Sequence, residues 1–141
     1  MTVLVVEDEP LAAEKIIGYI NQLIPEAVAE GPITNIEEGI LWFESNKEPD
    51  VIISDIMLAD GLCFDIYNSI ELKCPVIFTT AYDEYAIRAF EVNSIDYLLK
   101  PISKDKLEAS LKKIATIPSK SKEDIDFNKL AQLLQQTNKT Y

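Results

Sequence analysis

Residues 4–10 read LVVEDEP, an apolar run that leads directly into three carboxylates and then a proline. Two carboxylates about 4 Å apart repel each other by roughly 4 kcal/mol at an effective dielectric constant near 20. Acidic clusters normally lie on solvated surfaces, whereas this one stands where a buried strand should end. A positive charge, from a side chain or a bound cation, is therefore expected to offset the repulsion between Glu7 and Asp8.

Length and composition set the first limits. The 141 residues fit one domain with a short extension, and 48% of them are apolar, so the chain is not disordered overall. No apolar run approaches the roughly 20 residues that span a bilayer, and no signal peptide is visible. The two cysteines, Cys63 and Cys74, lack metal-site spacing and are expected to be buried, reduced thiols of a cytoplasmic protein.

The charge distribution excludes several function classes. The formal net charge is −11; residues 1–117 carry 21 acidic and 9 basic side chains, and the last 24 residues carry 3 and 4. A domain this acidic is a poor partner for a phosphate backbone, so we do not expect it to bind DNA itself. Because the chain has no histidine, a metal ion would be held by oxygen ligands, which favours Mg²⁺, Ca²⁺ or Mn²⁺.

Apolar runs that are typical of strands alternate with helix-like segments. The predicted strands are Val3–Val6, a weaker run Ala27–Glu30, Val51–Ser54, Val76–Thr79 and Ile95–Leu99. The predicted helices are Pro10–Ile24, Asn35–Glu44, Leu62–Leu72, Glu84–Val92 and Lys104–Ile117. This alternation predicts a parallel sheet covered on both faces, in a compact three-layer α/β domain over residues 1–117.

Residues 118–141 have a different texture. The stretch PSKSKED is polar and predicts a linker, and IDFNKLAQLLQQ follows it with an apolar side. One interpretation is a short helix that packs back on the domain or frays; the other is a connector or dimer helix. Too few residues follow for another folded domain.

Polar side chains stand at the end of every strong strand. They are Glu7 and Asp8, Asp55, Thr79 and Thr80, and Lys100 with Pro101. In a parallel α/β sheet these positions share the carboxyl edge, where ligands bind. Three acids without histidine suit a hard divalent cation, and the lysine supplies a positive charge. This combination is typical of a phosphoryl-transfer site with a carboxylate nucleophile.

Four stretches together carry a family resemblance, namely VVEDEP, DVIISDIMLADG, PVIFTTAYDEYAIRAF and DYLLKP. Their order resembles the receiver domain of bacterial response regulators, and FTTAYDEYAIRAFEVNSIDYLLKP resembles more narrowly the LytTR class (LytR/AlgR type). The resemblance covers residues 1 to about 117. It implies a flavodoxin-like, doubly wound, five-stranded parallel sheet with strand order 2-1-3-4-5 and helices on both faces.

The resemblance also implies roles for individual residues. Asp55 matches the phosphoacceptor, and Glu7 and Asp8 match the acidic pair that positions Mg²⁺. Asp55 and the backbone carbonyl of Met57 would complete the protein ligands. Glu7 is a mild departure, because aspartate is frequent at its position, and its contact with the metal could be direct or through water. Glu9 is interpreted as a charge that favours the start of the first helix.

The remaining matches concern switching. Thr80, which directly precedes Ala81, matches the switch hydroxyl, whereas Thr79 is taken as a strand residue without a chemical role. Lys100 matches the lysine that pairs with the phosphoryl group, and Pro101 would follow a cis peptide. Tyr97 matches the aromatic switch residue, with a half-buried core aromatic as the alternative.

The resemblance implies a signalling phosphoacceptor rather than an enzyme. Its partners would be a sensor histidine kinase and, in the LytTR class, DNA reached through an output domain that this chain does not contain. A homodimer would use the fourth helix, the fifth strand and the fifth helix. The bulky Met57 and Tyr82 predict slow self-dephosphorylation.

Three rival interpretations are retained or set aside. A stand-alone receiver that acts by protein contact stays open. An aspartyl-phosphate phosphatase is disfavoured, because such enzymes usually need a second acid where this chain has Met57. A pseudo-receiver is disfavoured because every required position is filled.

Overall fold

A computed structural model describes residues 1–81 and 94–116, within which it gives seven strands and four helices. The strands are β1 (Thr2–Val6), β2 (Val28–Ile33), β3 (Val51–Asp55), β4 (Met57–Leu58), β5 (Gly61–Leu62), β6 (Val76–Thr80) and β7 (Ser94–Leu99). The helices are α1 (Pro10–Leu23), α2 (Ile36–Ser45), α3 (Phe64–Tyr67) and α4 (Lys104–Thr116). The helix expected at Glu84–Val92 and the linker with its short helix at 118–141 lie outside the described residues.

Five strands form one parallel sheet in the order β2-β1-β3-β6-β7. Counted along the chain without the small β4-β5 ribbon, this is the order 2-1-3-4-5. The prediction of a flavodoxin-like, doubly wound sheet is therefore confirmed. Its switch point lies between β1 and β3, where the chain order reverses and ligands bind in such folds.

Alternating side chains divide the core between the two faces of the sheet. Leu4 and Val6 point to one face, where they join the buried side chains of α3 and partly buried ones of α2. Val3 and Val5 point to the other, where they join α1 and α4. Helices cover both faces of the sheet, so the side chains along the strands are apolar and buried. The polar residues at the strand ends are therefore the part of the sheet that can form a binding site.

The second strand is longer than predicted. It begins at Val28 and continues to Ile33 through Gly31 and Pro32, which are joined by a cis peptide bond. The register against β1 shifts here, and Gly31 has φ +104°. A β-carbon on Gly31 would lie 2.5 Å from the carbonyl oxygen of Val5. The predicted end at Glu30 was wrong because glycine and proline normally end a strand, whereas here they form an irregularity within it.

The third helix is shorter than the predicted Leu62–Leu72. Gly61 and Leu62 pair with Leu58 and Met57 in an antiparallel ribbon instead. The helix then ends at Tyr67, where the Ser69 hydroxyl donates to the Ile66 carbonyl at 2.6 Å. Local side-chain bonds of this kind compete with the helical ladder.

The other elements agree with the predicted ones to within two residues at each described end. Cys63 and Cys74 are buried thiols that are not joined in a disulfide. Within residues 1–81 and 94–116, no helix has the length and apolar character needed to cross a membrane.

Candidate functional site

Two neighbouring strands bring the predicted acids together. Glu7 follows β1 directly, and its backbone N–H donates to the Ile33 carbonyl of β2 at 2.8 Å. Asp55 is the last residue of β3, the strand beside β1. One carboxylate oxygen from each of Glu7, Asp8 and Asp55 lies within 4.8 Å of the other two. Glu7 and Asp55 are buried, and Asp8 is partly buried.

Lys100 connects the two buried carboxylates. Its Nζ lies 2.8 Å from Glu7 Oε1 and 3.0 Å from Asp55 Oδ2. The backbone supports this position, because the Lys100 N–H donates to the Thr80 carbonyl at 2.7 Å. The Lys100–Pro101 peptide bond is cis, which is the geometry expected from the resemblance. One ammonium thus faces three carboxylates, and the cluster keeps an excess of negative charge.

The charge balance shifts the pKa values of the site. Burial raises the pKa of Glu7, and the nearby Lys100 only partly opposes it. Burial, and then the Glu7 carboxylate, raise the pKa of Asp8. Burial would lower the pKa of Lys100, but Glu7 and Asp55 outweigh it and raise that pKa. The ionised forms of Glu7 and Asp8 are therefore disfavoured, first by burial and then by the neighbouring carboxylates.

The cluster fits a hard divalent cation. Its donors are carboxylate oxygens, the ligands that Mg²⁺ and Ca²⁺ prefer. In the part of the chain described, the Lys100 ammonium at 2.8 Å is the polar partner of the buried Glu7 Oε1. A buried carboxylate oxygen in this state has coordination capacity left over. Glu7, Asp8 and Asp55 are therefore the residues that could hold such an ion.

A cavity of about 140 Å³ adjoins the phosphoacceptor candidate. Asp55, Met57, Thr80, Ala81 and Lys100 line it. A carboxylate, a hydroxyl residue and an ammonium therefore meet in one small space. The Met57 N–H donates to Asp55 Oδ1 at 3.3 Å, and Met57 is 44% exposed.

Three other candidates have distinct positions. Thr79 is buried in β6, and its hydroxyl has no hydrogen-bond partner among the described residues. Tyr97 is half-buried in β7, opposite Phe78, and packs against the cluster that α2 and α3 cover. Glu9 stands at the N-cap of α1, where its side chain makes no capping bond, and its Oε2 lies 4.0 Å from Lys100 Nζ. Tyr82 lies outside the described residues.

The structure adds residues that the sequence analysis did not single out. The Ser54 hydroxyl donates to the carbonyl oxygen of Asp55 at 3.1 Å. Both oxygens of Asp60 accept the Ile36 N–H, at 2.9 and 3.1 Å. The Asp-Gly pair at 60–61 is a general turn signal, which indicates that the chain reverses near this position.

Comparison with known proteins agrees with this arrangement. Residues 3–112 match the family described as response regulator receiver domain. The chain is 38% identical over 116 residues to the sensory transduction protein LytT of Bacillus anthracis. It is 40% identical over 117 residues to the positive alginate biosynthesis regulatory protein of Pseudomonas aeruginosa. Each alignment covers 80% of this chain and 46% of the relative, so the chain spans about half the length of these proteins.

A solved structure gives the same result. The response regulatory domain of protein mrkE from Klebsiella pneumoniae superposes with a TM-score of 0.71 at 31% identity, covering 82% of this chain and 96% of that domain. The strand order, the three clustered acids and the family match all point the same way. The chain therefore belongs to the response regulator receiver domains, in agreement with its predicted resemblance to the LytTR class.

Proposed function

We propose that this chain accepts a phosphoryl group on Asp55 from the phosphohistidine of a sensor histidine kinase. The observation that carries the proposal is the position of Lys100 Nζ, within 3.0 Å of both Asp55 and Glu7, beside a cavity that Thr80 also lines. A fixed cation next to a carboxylate nucleophile suits phosphoryl transfer, which depends on positioning and on charge stabilisation.

The transfer uses Asp55 as the nucleophile. One of its carboxylate oxygens attacks phosphorus, and the phosphorus–nitrogen bond of the donor breaks as the new bond forms. Glu7, Asp8, Asp55 and the Met57 carbonyl would hold Mg²⁺, which would supply positive charge beside the transferred group. Lys100 then exchanges a carboxylate oxygen for a phosphoryl oxygen as its partner. The chain promotes its own phosphorylation in this way, as a signalling phosphoacceptor.

Thr80 and Tyr97 carry the response. The new group brings about −1.5 to −2 charge, by analogy with other phosphorylated side chains. Thr80 moves to donate its hydroxyl to a phosphoryl oxygen, and Tyr97 turns inward to fill the space. Thr80 pairs with Leu99 of β7, and Leu99 lies two residues after Tyr97 in the same strand. A movement of Thr80 is therefore close enough to affect Tyr97. The result is a population shift that changes the surface of β7 and α4.

The changed surface serves output. We propose a homodimer formed through β7, α4 and the segment Glu84–Val92, the last of which lies outside the described residues. The two relatives are named as a sensory transduction protein and a regulatory protein. We infer that this receiver regulates transcription through a DNA-binding output domain in a longer protein. The thiol state of Cys63 and Cys74 supports a cytoplasmic location.

The lifetime of the phosphorylated state is proposed to be long. Met57 lines the cavity beside Asp55 and offers no acid or amide to orient a water molecule. Replacing Met57 by asparagine should therefore speed the loss of phosphate. Decay followed by intact-mass measurement tests this step, and an unchanged decay rate would contradict it.

The central experiment is phosphorylation by acetyl phosphate with Mg²⁺, followed by intact-mass measurement. The wild-type chain should gain one phosphoryl group, and Asp55→Asn should gain none. Asp50→Asn is the matched control, because Asp50 is an exposed carboxylate whose contact is with Thr2. No adduct on the wild type, under conditions that label another receiver domain, would overturn the proposal.

A further inference from the structure

The segment that follows Asp55 folds into a very short ribbon. Only two residue pairs form it, Met57 with Leu62 and Leu58 with Gly61. Leu58 is buried, whereas Ala59, Asp60 and Gly61 are exposed. A two-stranded ribbon is marginally stable by itself even when it is longer than this. Something outside the ribbon must therefore hold it in place.

The tip of the ribbon is fastened to α2. Asp60 accepts the Ile36 N–H with both carboxylate oxygens, at 2.9 and 3.1 Å. Ile36 is the first residue of α2, and an N–H at that position has no partner within its own helix. A negative charge is also favourable at a helix N-terminus. Asp60 therefore makes a charge-assisted bond at the point where α2 begins.

A second contact shows how closely the ribbon and the helix approach. A β-carbon on Gly61 would lie 2.9 Å from the Ile36 side chain, so only glycine fits there without a shift. Asn35 already caps α2 by accepting the Glu38 N–H at 2.8 Å. Asp60 is thus an additional cap that comes from a separate part of the chain.

The base of the ribbon reaches the phosphoacceptor. The Met57 N–H donates to Asp55 Oδ1 at 3.3 Å, and the Cys63 N–H donates to the Ile56 carbonyl at 2.8 Å. A displacement of the tip would therefore be transmitted to the Met57 backbone. We propose that Asp60 is a positioning residue, which fastens the ribbon to α2 and so fixes the Met57 backbone and the Asp55 carboxylate for cation binding and phosphorylation. The effect on phosphorylation rests on the function proposed above.

Charge and geometry make different predictions for Asp60. If its negative charge alone helped to attract a cation, asparagine and alanine would be equally harmful. If the bond to Ile36 matters, Asp60→Asn should rescue most of the effect, because the amide oxygen still accepts the N–H. Asp50→Ala is the control, since Asp50 also accepts one backbone N–H, from Thr2 at 2.7 Å, at the amino ends of the strands.

The first measurement is amide hydrogen exchange in the full 141-residue chain with EDTA, which needs neither metal nor phosphate. In Asp60→Ala the Ile36 and Met57 amides should exchange about tenfold faster, while the core amides of Val5 and Ile53 keep their rates. Asp60→Asn and Asp50→Ala should stay within about twofold of wild type at Ile36 and Met57. Unchanged exchange of Met57 in Asp60→Ala would overturn the proposal.

The second measurement is a Mg²⁺ titration of the same proteins. Asp60→Ala should raise the Mg²⁺ Kd about three- to tenfold, and Asp60→Asn less than twofold. Equal weakening by alanine and asparagine would overturn the role of the bond in favour of charge. A wild-type chain that binds no Mg²⁺ would instead contradict the proposed function, and the exchange measurement would still decide whether Asp60 fastens the ribbon.

Discussion

Carboxylates stand at both edges of the central sheet, but the two edges use them differently. At the amino edge, Asp50 accepts the Thr2 N–H at 2.7 Å, and Glu48 accepts the Lys73 N–H at 2.9 Å. Both contacts are exposed. At the carboxyl edge, by contrast, buried carboxylates face one another and share the single ammonium of Lys100.

The difference distinguishes carboxylates that only stabilise the backbone from carboxylates that are available to bind a ligand. An exposed carboxylate that accepts a backbone N–H is satisfied by the chain and by water, so it needs no ligand. At the carboxyl edge, burial and then the neighbouring carboxylates raise the pKa values of Glu7 and Asp8, and Lys100 opposes these shifts only in part. Such a cluster lowers the stability of the metal-free fold and is retained where a ligand will offset it.

Among the variants considered, replacement of Lys100 should change the stability of the metal-free protein most. Lys100→Met should lower the free energy of unfolding of the metal-free protein by about 1–3 kcal/mol at pH 8. The Glu7 side chain, which is 0% exposed, would lose its only cation in the described part of the chain. Urea unfolding in EDTA at pH 5 and pH 8 measures the effect.

The pH dependence has a definite sign. The raised pKa of Lys100 means that its contribution is present below its ordinary value of 10.5 and is lost as pH rises through the raised value. Without Lys100 the pKa of Glu7 rises further, so Glu7 protonates as pH falls and the loss should shrink at pH 5. Lys113→Met is the control, because Lys113 is 59% exposed in its pair with Asp96, and should change stability by less than about 0.5 kcal/mol. Equal losses in both variants would contradict the comparison.

The irregularity in β2 lies beside the end of β1, just before Glu7, and a Gly31→Ala variant tests whether the fold needs it. Gly31→Ala should destabilise the fold by about 1–3 kcal/mol, since φ is +104° and the Val5 carbonyl leaves no room for a β-carbon. Gly18→Ala in α1 is the opposite case, because nothing lies within 4 Å, and should stabilise by about 0.5–1 kcal/mol. Thermal unfolding compares the two. A tolerated Gly31→Ala would mean that the β1-β2 register near Glu7 is adjustable.

An Asp8→Asn variant tests whether ionised acids at the carboxyl edge destabilise the metal-free protein. Asp8→Asn should stabilise the metal-free protein by up to about 1 kcal/mol at pH 7, because the fold raises the pKa of Asp8 and so disfavours its ionised form. The gain should disappear as pH falls through that raised pKa towards the ordinary value of 3.8, where Asp8 itself becomes neutral. Asp50→Asn at the amino edge should instead be neutral or slightly destabilising. Urea unfolding in EDTA decides, and a destabilising Asp8→Asn would refute the charge argument.

Much of the fold follows from patterns that are local in the sequence. The apolar runs of β1, β3 and β6 are buried on both faces, so their composition alone identifies them. The carboxyl edge follows from the same reasoning, because parallel strands bring Glu7, Asp55 and Lys100 to one side whatever lies between them.

What could not be predicted depends on backbone conformations and long-range contacts. The irregular β2 depends on how Gly31 passes the Val5 carbonyl, which no local pattern encodes. The Asp60–Ile36 bond joins residues 24 positions apart, and its partner is a backbone N–H that carries no side-chain signal. The prediction that Asp55 is the phosphoacceptor rests on the family resemblance, since the pattern alone indicates a phosphoryl-transfer site without identifying which carboxylate is the nucleophile.

Two threonines at the end of β6 give the finest test of the contrast between structural and functional groups. The Thr79 hydroxyl is buried without a hydrogen-bond partner in the described part of the chain, so Thr79→Val should be neutral or stabilise by a few tenths to about 1 kcal/mol. Thr80 lines the cavity beside Asp55. In wild type we expect beryllofluoride to change the Tyr97 ring resonances. Thr80→Val should still be labelled by acetyl phosphate but should lose that change. Thr79 and Thr80 are adjacent and chemically identical, so Thr79→Val is the matched control. If Thr79→Val keeps the Tyr97 response, the switch hydroxyl is that of Thr80. If Thr79→Val also loses the response, the prediction that Thr80 alone is the switch residue is wrong.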